Sequence, residues 1–170
     1  MFTLKPISRE AIPGALAKAE RYRLLNEPVQ AESICLDVLA IDPKNRQALI
    51  TMLLALTDQF GGAALNGSGA IARAQEILKA LPTEYERAYY AGILCERRAT
   101  ALLGQGGPSS PSVAHDWLRD AMEWYERAEA VRPPDNDDSI LRWNTCARLI
   151  MQNPRLRAAP ESPREPIMSE

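Results

Sequence analysis

Histidine is nearly missing from this chain: His115 stands alone among 170 residues. Protein metal sites are built from paired imidazoles, from Cys-x-x-Cys thiolates or from His–Glu pairs at fixed spacing, and the sequence offers none of these. No metal is therefore expected. A lone histidine can still act as a general base, but only beside a positioned partner. Asp116 follows it directly, yet no motif places a serine or cysteine nearby, so His115 reads more simply as a residue at a helix start. No catalytic residue is expected, and the chain does not read as an enzyme. Cysteine is sparse too. Cys35, Cys95 and Cys146 are far apart and odd in number, and each sits within an apolar helical pattern. That excludes a disulfide framework and points to buried, reduced thiols.

Charge excess and long apolar runs are also lacking. Twenty basic and 22 acidic side chains leave a net charge of −2, which supplies no electrostatic footprint for nucleic acid or an anionic membrane. The start, "MFTLKPISRE", has no apolar core of a leader, and no stretch approaches the ~18 apolar residues of a membrane span. A cytoplasmic location is expected. Two Gly-rich segments, 61–69 and 104–112, invite a phosphate-cradle reading, but neither follows a strand pattern nor ends in Gly-Lys-Ser/Thr. No cofactor is expected there, and flexible inserts are the simpler reading. The acidic run Asp135–Asp138 lacks the alternation and distal glutamate of a calcium loop.

What the sequence has is helix. Residues 9–25 place Ile12, Leu16, Ala19 and Tyr22–Leu25 three and four apart, with Ser8 as the expected cap. Pro28 suits the first turn of a helix over 28–41 that ends before Asp42-Pro43. Residues 46–60 are apolar almost all round, which predicts a central helix. Further helices are predicted over 70–81, 84–103, 113–131 and 137–151, with the carboxylates of Asp135–Asp138 capping the last. From residue 154 prolines and charges dominate, so 1–153 is expected to form the domain and 154–170 a Pro-rich disordered tail.

The helices pair, and the second member of each pair repeats a pattern. Ala31, Cys35, Val38 and Pro43 have the same offsets as Ala121, Tyr125, Ala128 and Pro133, while Ala74, Leu78 and Leu81 share the first two. Small residues let helices approach, a large one fills the gap, and proline forces the turn to the next unit. This resembles the second helix of the tetratricopeptide repeat (TPR). In the first-helix half, Ala88, Ala91, Gly92 and Cys95 stand where that family prefers Trp, Leu, Gly and Tyr, and Tyr22 holds its expected place. The resemblance implies an all-α fold: about three degenerate hairpin repeats and a terminal helix, about seven helices in a right-handed superhelix.

Such a fold implies a non-catalytic scaffold or adaptor that holds a peptide or protein segment in a concave groove. By register the groove would contain Glu20, Arg23, Ile50, Leu54, Asp58, Tyr89, Ile93, Glu96, Arg97, Leu141, Thr145 and Arg148. An apolar ligand group is expected near Leu54, Tyr89 and Ile93, and an acidic one on Arg97. The family's basic clamp for a C-terminal carboxylate is missing, since Leu16, Glu20 and Thr51 occupy its positions. The alternatives are a TPR-type chaperone for a secreted or assembled protein, or a small-molecule sensor or enzyme using the Gly-rich loops or His115. On the last helix Ile140, Trp143, Ala147 and Ile150 form an apolar stripe, with Leu141 and Leu149 adding a second edge. The tail, a second copy in a homodimer or a partner would cover it.

Overall fold

Local signals start and stop the helices. A computed structural model describes residues 2–61 and 67–156, and among these the secondary structure is all-helical. A single 3-10 turn, Arg9–Ala11, leads into α1 (Ile12–Leu24). Then come α2 (Pro28–Ile41), α3 (Arg46–Thr57), α4 (Gly67–Ala80), α5 (Glu84–Gln105), α6 (Ser110–Ala130) and α7 (Asp138–Gln152). Proline opens α1, α2 and α6, where a missing N–H costs nothing. Asn45 caps α3 by accepting from the Ala48 N–H at 3.0 Å. Thr83 and Glu86 form a reciprocal capping box at α5, and Gly106, at φ 72°, ends that helix in the left-handed conformation that glycine adopts without strain.

Several expected boundaries move. Ser8 precedes the 3-10 turn and makes no side-chain cap. The second Gly-rich segment is not a loop over 104–112. The connector spans only Gly106–Ser109, because Pro111 fits the first turn of α6. The first segment is shortened by an α4 that begins at Gly67, and residues 62–66 lie outside the described residues. At α7 the carboxylates do not cap. Asp137 makes no side-chain cap bond, and the Asn136 amide oxygen accepts from the Asp138 N–H instead, at 3.0 Å.

Packing follows the apolar stripes. Helices α1 and α2, α3 and α4, and α5 and α6 lie against one another. The short connectors Leu25–Glu27 and Gly106–Ser109 make the first and last of these antiparallel hairpins. Helix α3 also touches α1 and α5, and the pairs are stitched by α2 on α3, α4 on α5 and α6 on α7. As its all-round apolarity predicts, α3 is central: Leu53, Ala55 and Leu56 are fully buried. Each buried leucine contributes about 2–3 kcal/mol of apolar transfer. Across the α3–α5 contact Glu86 is buried, and its carboxylate pairs with Arg46 and accepts from the Thr83 N–H.

The residues that alternate small and large are inside. Ala31, Ala74, Ala121 and Ala128 are fully buried, as are Cys35 and Tyr125, while Leu78 is half-buried. Ala128→Leu is expected to overpack its site and lower stability by about 1–3 kcal/mol in denaturant unfolding. An unchanged midpoint would show that the site has room to spare.

Helices α5 and α6 run for 22 and 21 residues, whereas α1 to α4 have 12 to 14. Arg46 and Glu86 align the N-terminal ends of α3 and α5, so α5 overhangs the end of α3 by about 12 Å at 1.5 Å per residue. The chain's last described residue is also structural. Leu156 is only 1% exposed and packs in the cluster containing Tyr125, Cys146, Trp143 and Ile150. Packing therefore continues past 153 to Leu156, and the rest of the expected tail, 157–170, lies outside the described residues.

Candidate functional site

The overhang of α5 and α6 turns the end of the bundle into a cleft. Its walls are the last turn of α1, the end of α3 and the extra turns of α5, and its volume is about 660 Å³. Arg23, Leu24 and Asn26 come from the α1 side. Thr57, Asp58 and Phe60 come from α3 and the turn after it, and Arg97, Thr100, Ala101 and Gln105 from α5. Asp58 stands between cations from the other two walls. Arg23 donates to it from Nε at 2.8 Å, and Arg97 Nη1 stands at 3.8 Å. The three groups are partly shielded, with side-chain exposures of 20%, 17% and 39% for Arg23, Asp58 and Arg97. Leu24 is 89% exposed beside them, although periodicity assigns Leu24 and Leu25 to the core.

A second constellation lies where α5, α6 and α7 meet, and it is internal. The Tyr125 hydroxyl donates to Glu96 at 2.6 Å, and Arg142 Nη1 donates to the other oxygen of the same carboxylate at 3.0 Å. Tyr89 stacks on Tyr85 with centroids 5.7 Å apart, meets Tyr90 edge-on and tilts against Tyr125. The Tyr85 hydroxyl donates to Asn136 at 3.0 Å, so one amide oxygen serves both this tyrosine and the start of α7. Burial pushes the phenols of Tyr85, Tyr89 and Tyr125 up, and that of Tyr90 up to about 12. These hydroxyls stay protonated donors near neutral pH.

The expected groove residues thus divide. Arg23, Asp58 and Arg97 converge on the cleft. Ile50, Leu54 and Tyr89 are half-buried, and Glu20 is exposed, accepting from Gln47 Nε2 at 3.0 Å. Leu141, Thr145 and Arg148 are exposed on α7 and do not line the cleft. Two residues are misplaced by the register. Ile93 is 3% exposed and belongs to the core, and Glu96 is held by Tyr125 and Arg142 rather than offered to a ligand. Phe60, Thr100 and Ala101 are cleft residues that periodicity does not single out. The length of the helical pattern over 84–103 was the one signal for them, because it exceeds its neighbours.

Among the described residues nothing reactive gathers elsewhere. Burial pushes the thiols of Cys35 and Cys146 up to about 12 and that of Cys95 up to about 11, so all three stay protonated at neutral pH. The His115 ring lies 3.5 Å from Asp116, and among the described residues no serine or cysteine bonds to it. Among those residues no three His, Cys, Asp or Glu side chains come together as metal ligands, and no helix is long and apolar enough to cross a membrane. Comparison with protein families, curated proteins and solved structures finds no match for this chain.

Proposed function

We propose that this chain is a TPR-like, non-catalytic interaction module in the cytoplasm that holds an extended segment of a protein partner. The observation that carries the reading is the open cleft of about 660 Å³, walled by α1, α3 and α5 and set with charged groups from all three. Support comes also from the packing order, in which α3 touches both α1 and α5, and from the buried small positions Ala31, Ala74, Ala121 and Ala128. Helix pairs stacked in that order leave their first helices along one face. Such a face suits a peptide, because it offers apolar and charged contacts along a line instead of one enclosed pocket.

Peptides selected from a displayed random library on the full-length protein test this. Calorimetric titration of a selected peptide should show a loss of about 1–3 kcal/mol with Arg97→Ala, arginine side chains being frequent anchors. Lys79→Ala, on the exposed face of α4, should bind like the parent. The reverse pattern, with Lys79 essential and α5 indifferent, would place the binding surface on the other side of the bundle.

A further inference from the structure

The charges in the cleft do not balance, and the imbalance specifies a ligand. Among its described lining residues Asp58 is the sole carboxylate, set against the guanidinium groups of Arg23 and Arg97. Arg23 claims Asp58 at 2.8 Å and also sits in the last turn of α1, where a cation answers the exposed carbonyls. Arg97 is 3.8 Å away, beyond hydrogen-bond reach, and among the described residues its side chain makes no hydrogen bond. A planar fork of five N–H donors is therefore left over. The nearby hydroxyls cannot substitute as donors. Thr57 gives its proton to the Leu54 carbonyl at 2.7 Å, and Thr100 gives its own to the Glu96 carbonyl at 3.0 Å.

Beside the charged cleft lies a second pocket of about 300 Å³ that shares Phe60, Ala101 and Gln105 with it. This one is apolar, walled by Ile71, Leu102 and Trp117. Its one charged residue, Arg98, sits over the Trp117 ring with its guanidinium carbon 3.6 Å from the centroid. That stacking satisfies the cation and flattens one wall. Because the two pockets share these lining residues they adjoin, and a single short segment of ligand can reach both.

We propose that the bound segment pairs an acidic side chain with a large apolar one, the carboxylate docking on Arg97 and the apolar group filling the pocket beside Trp117. The proposal rests on the peptide-binding reading above and names its ligand class. One uncompensated positive charge suits a carboxylate, a monoanion, better than a doubly charged phosphate. A basic ligand residue would meet Arg97 and Arg98 and be repelled. Asp58 is then an internal rival: it draws Arg97 back, and a ligand carboxylate must outcompete it for the guanidinium.

The test uses the full-length protein and peptides selected on it from a displayed random library. Each selected peptide is compared, by fluorescence polarisation, with a copy carrying glutamine in place of its acidic residue. The acidic form should bind about tenfold tighter, the scale of a hydrogen bond to a charged group. In Arg97→Ala the ratio should fall to near one. In Asp58→Asn, with the rival removed, it should rise, and Trp117→Ala should weaken both forms alike. Because the ratio is taken within each variant, partial loss of fold moves both peptides together and leaves it readable. Selected peptides without acidic residues, or a ratio that Arg97→Ala leaves unchanged, would overturn the acidic-segment proposal while leaving peptide binding intact. A library that yields no binder at all would overturn both.

Discussion

Gly92→Ala is expected to destabilise the protein by about 3 kcal/mol, although the same change in an exposed helix stabilises by about 1 kcal/mol. The reversal has a geometric cause. A Cβ at Gly92 would lie 2.4 Å from Tyr125 Cε1 and 2.6 Å from Cδ1, far inside contact distance. The ring cannot step aside, because Tyr125 is fully buried and its hydroxyl holds Glu96 at 2.6 Å. Glu96 in turn is held by Arg142 from α7 at 3.0 Å. Relief must come from forcing α5 and α6 apart or from breaking the hydroxyl–carboxylate bond, each worth about 1–3 kcal/mol. For a chain of this length that is a fall in melting temperature of roughly 6–12 °C. The double variant with Tyr125→Leu isolates the contact: in that background Gly92→Ala should cost little. A single variant that melts with the parent would mean that the helices separate freely and that Gly92 is not a packing requirement.

Leu156→Ala is expected to cost about 2–4 kcal/mol, the usual scale for truncating a buried leucine. A chain ending at Asn153 should lose at least as much. The side chain is 1% exposed within the apolar cluster that contains Tyr125, Cys146 and Trp143, and a tight turn puts it there. The Leu156 N–H bonds the Asn153 carbonyl at 2.9 Å, and the Arg155 N–H bonds the Asn153 side chain at 3.1 Å. Equilibrium denaturation of the two variants checks this. If the chain ending at Asn153 unfolds at the parent's midpoint, Leu156 contributes nothing and the domain ends where composition says it does. Loss of Leu156 would also uncover part of the apolar stripe of α7, which carries Trp143 and Ile150.

The helices of this protein were legible in its sequence because helix formation is set by near neighbours. Apolar spacing of three and four and proline at Pro28 act within a turn or two of where they stand. The pairing of Ala121, Tyr125 and Ala128 was legible for a related reason: small and large residues at fixed offsets say which side of a helix meets another. Register also put Arg23, Asp58 and Arg97 on one surface, and the structure brings them to one cleft.

Tertiary structure decided the rest. One residue along a helix turns the side chain by about 100°, so whether Ile93 or its neighbour faces solvent depends on where α6 and α7 come to lie. Glu96 is charged and reads as a surface residue until Tyr125 and Arg142, 29 and 46 positions away, claim it. At α7 the cap falls to Asn136 rather than to the aspartates, and its amide oxygen also accepts from Tyr85 of α5, 51 positions away. Leu156, set between charges and a proline, has no periodicity to announce it, and only its packing in the cluster with Tyr125 and Cys146 makes it core. The cleft itself is the difference in length between α5 and α3, a quantity that becomes a shape once the Arg46–Glu86 pair sets the two helices side by side.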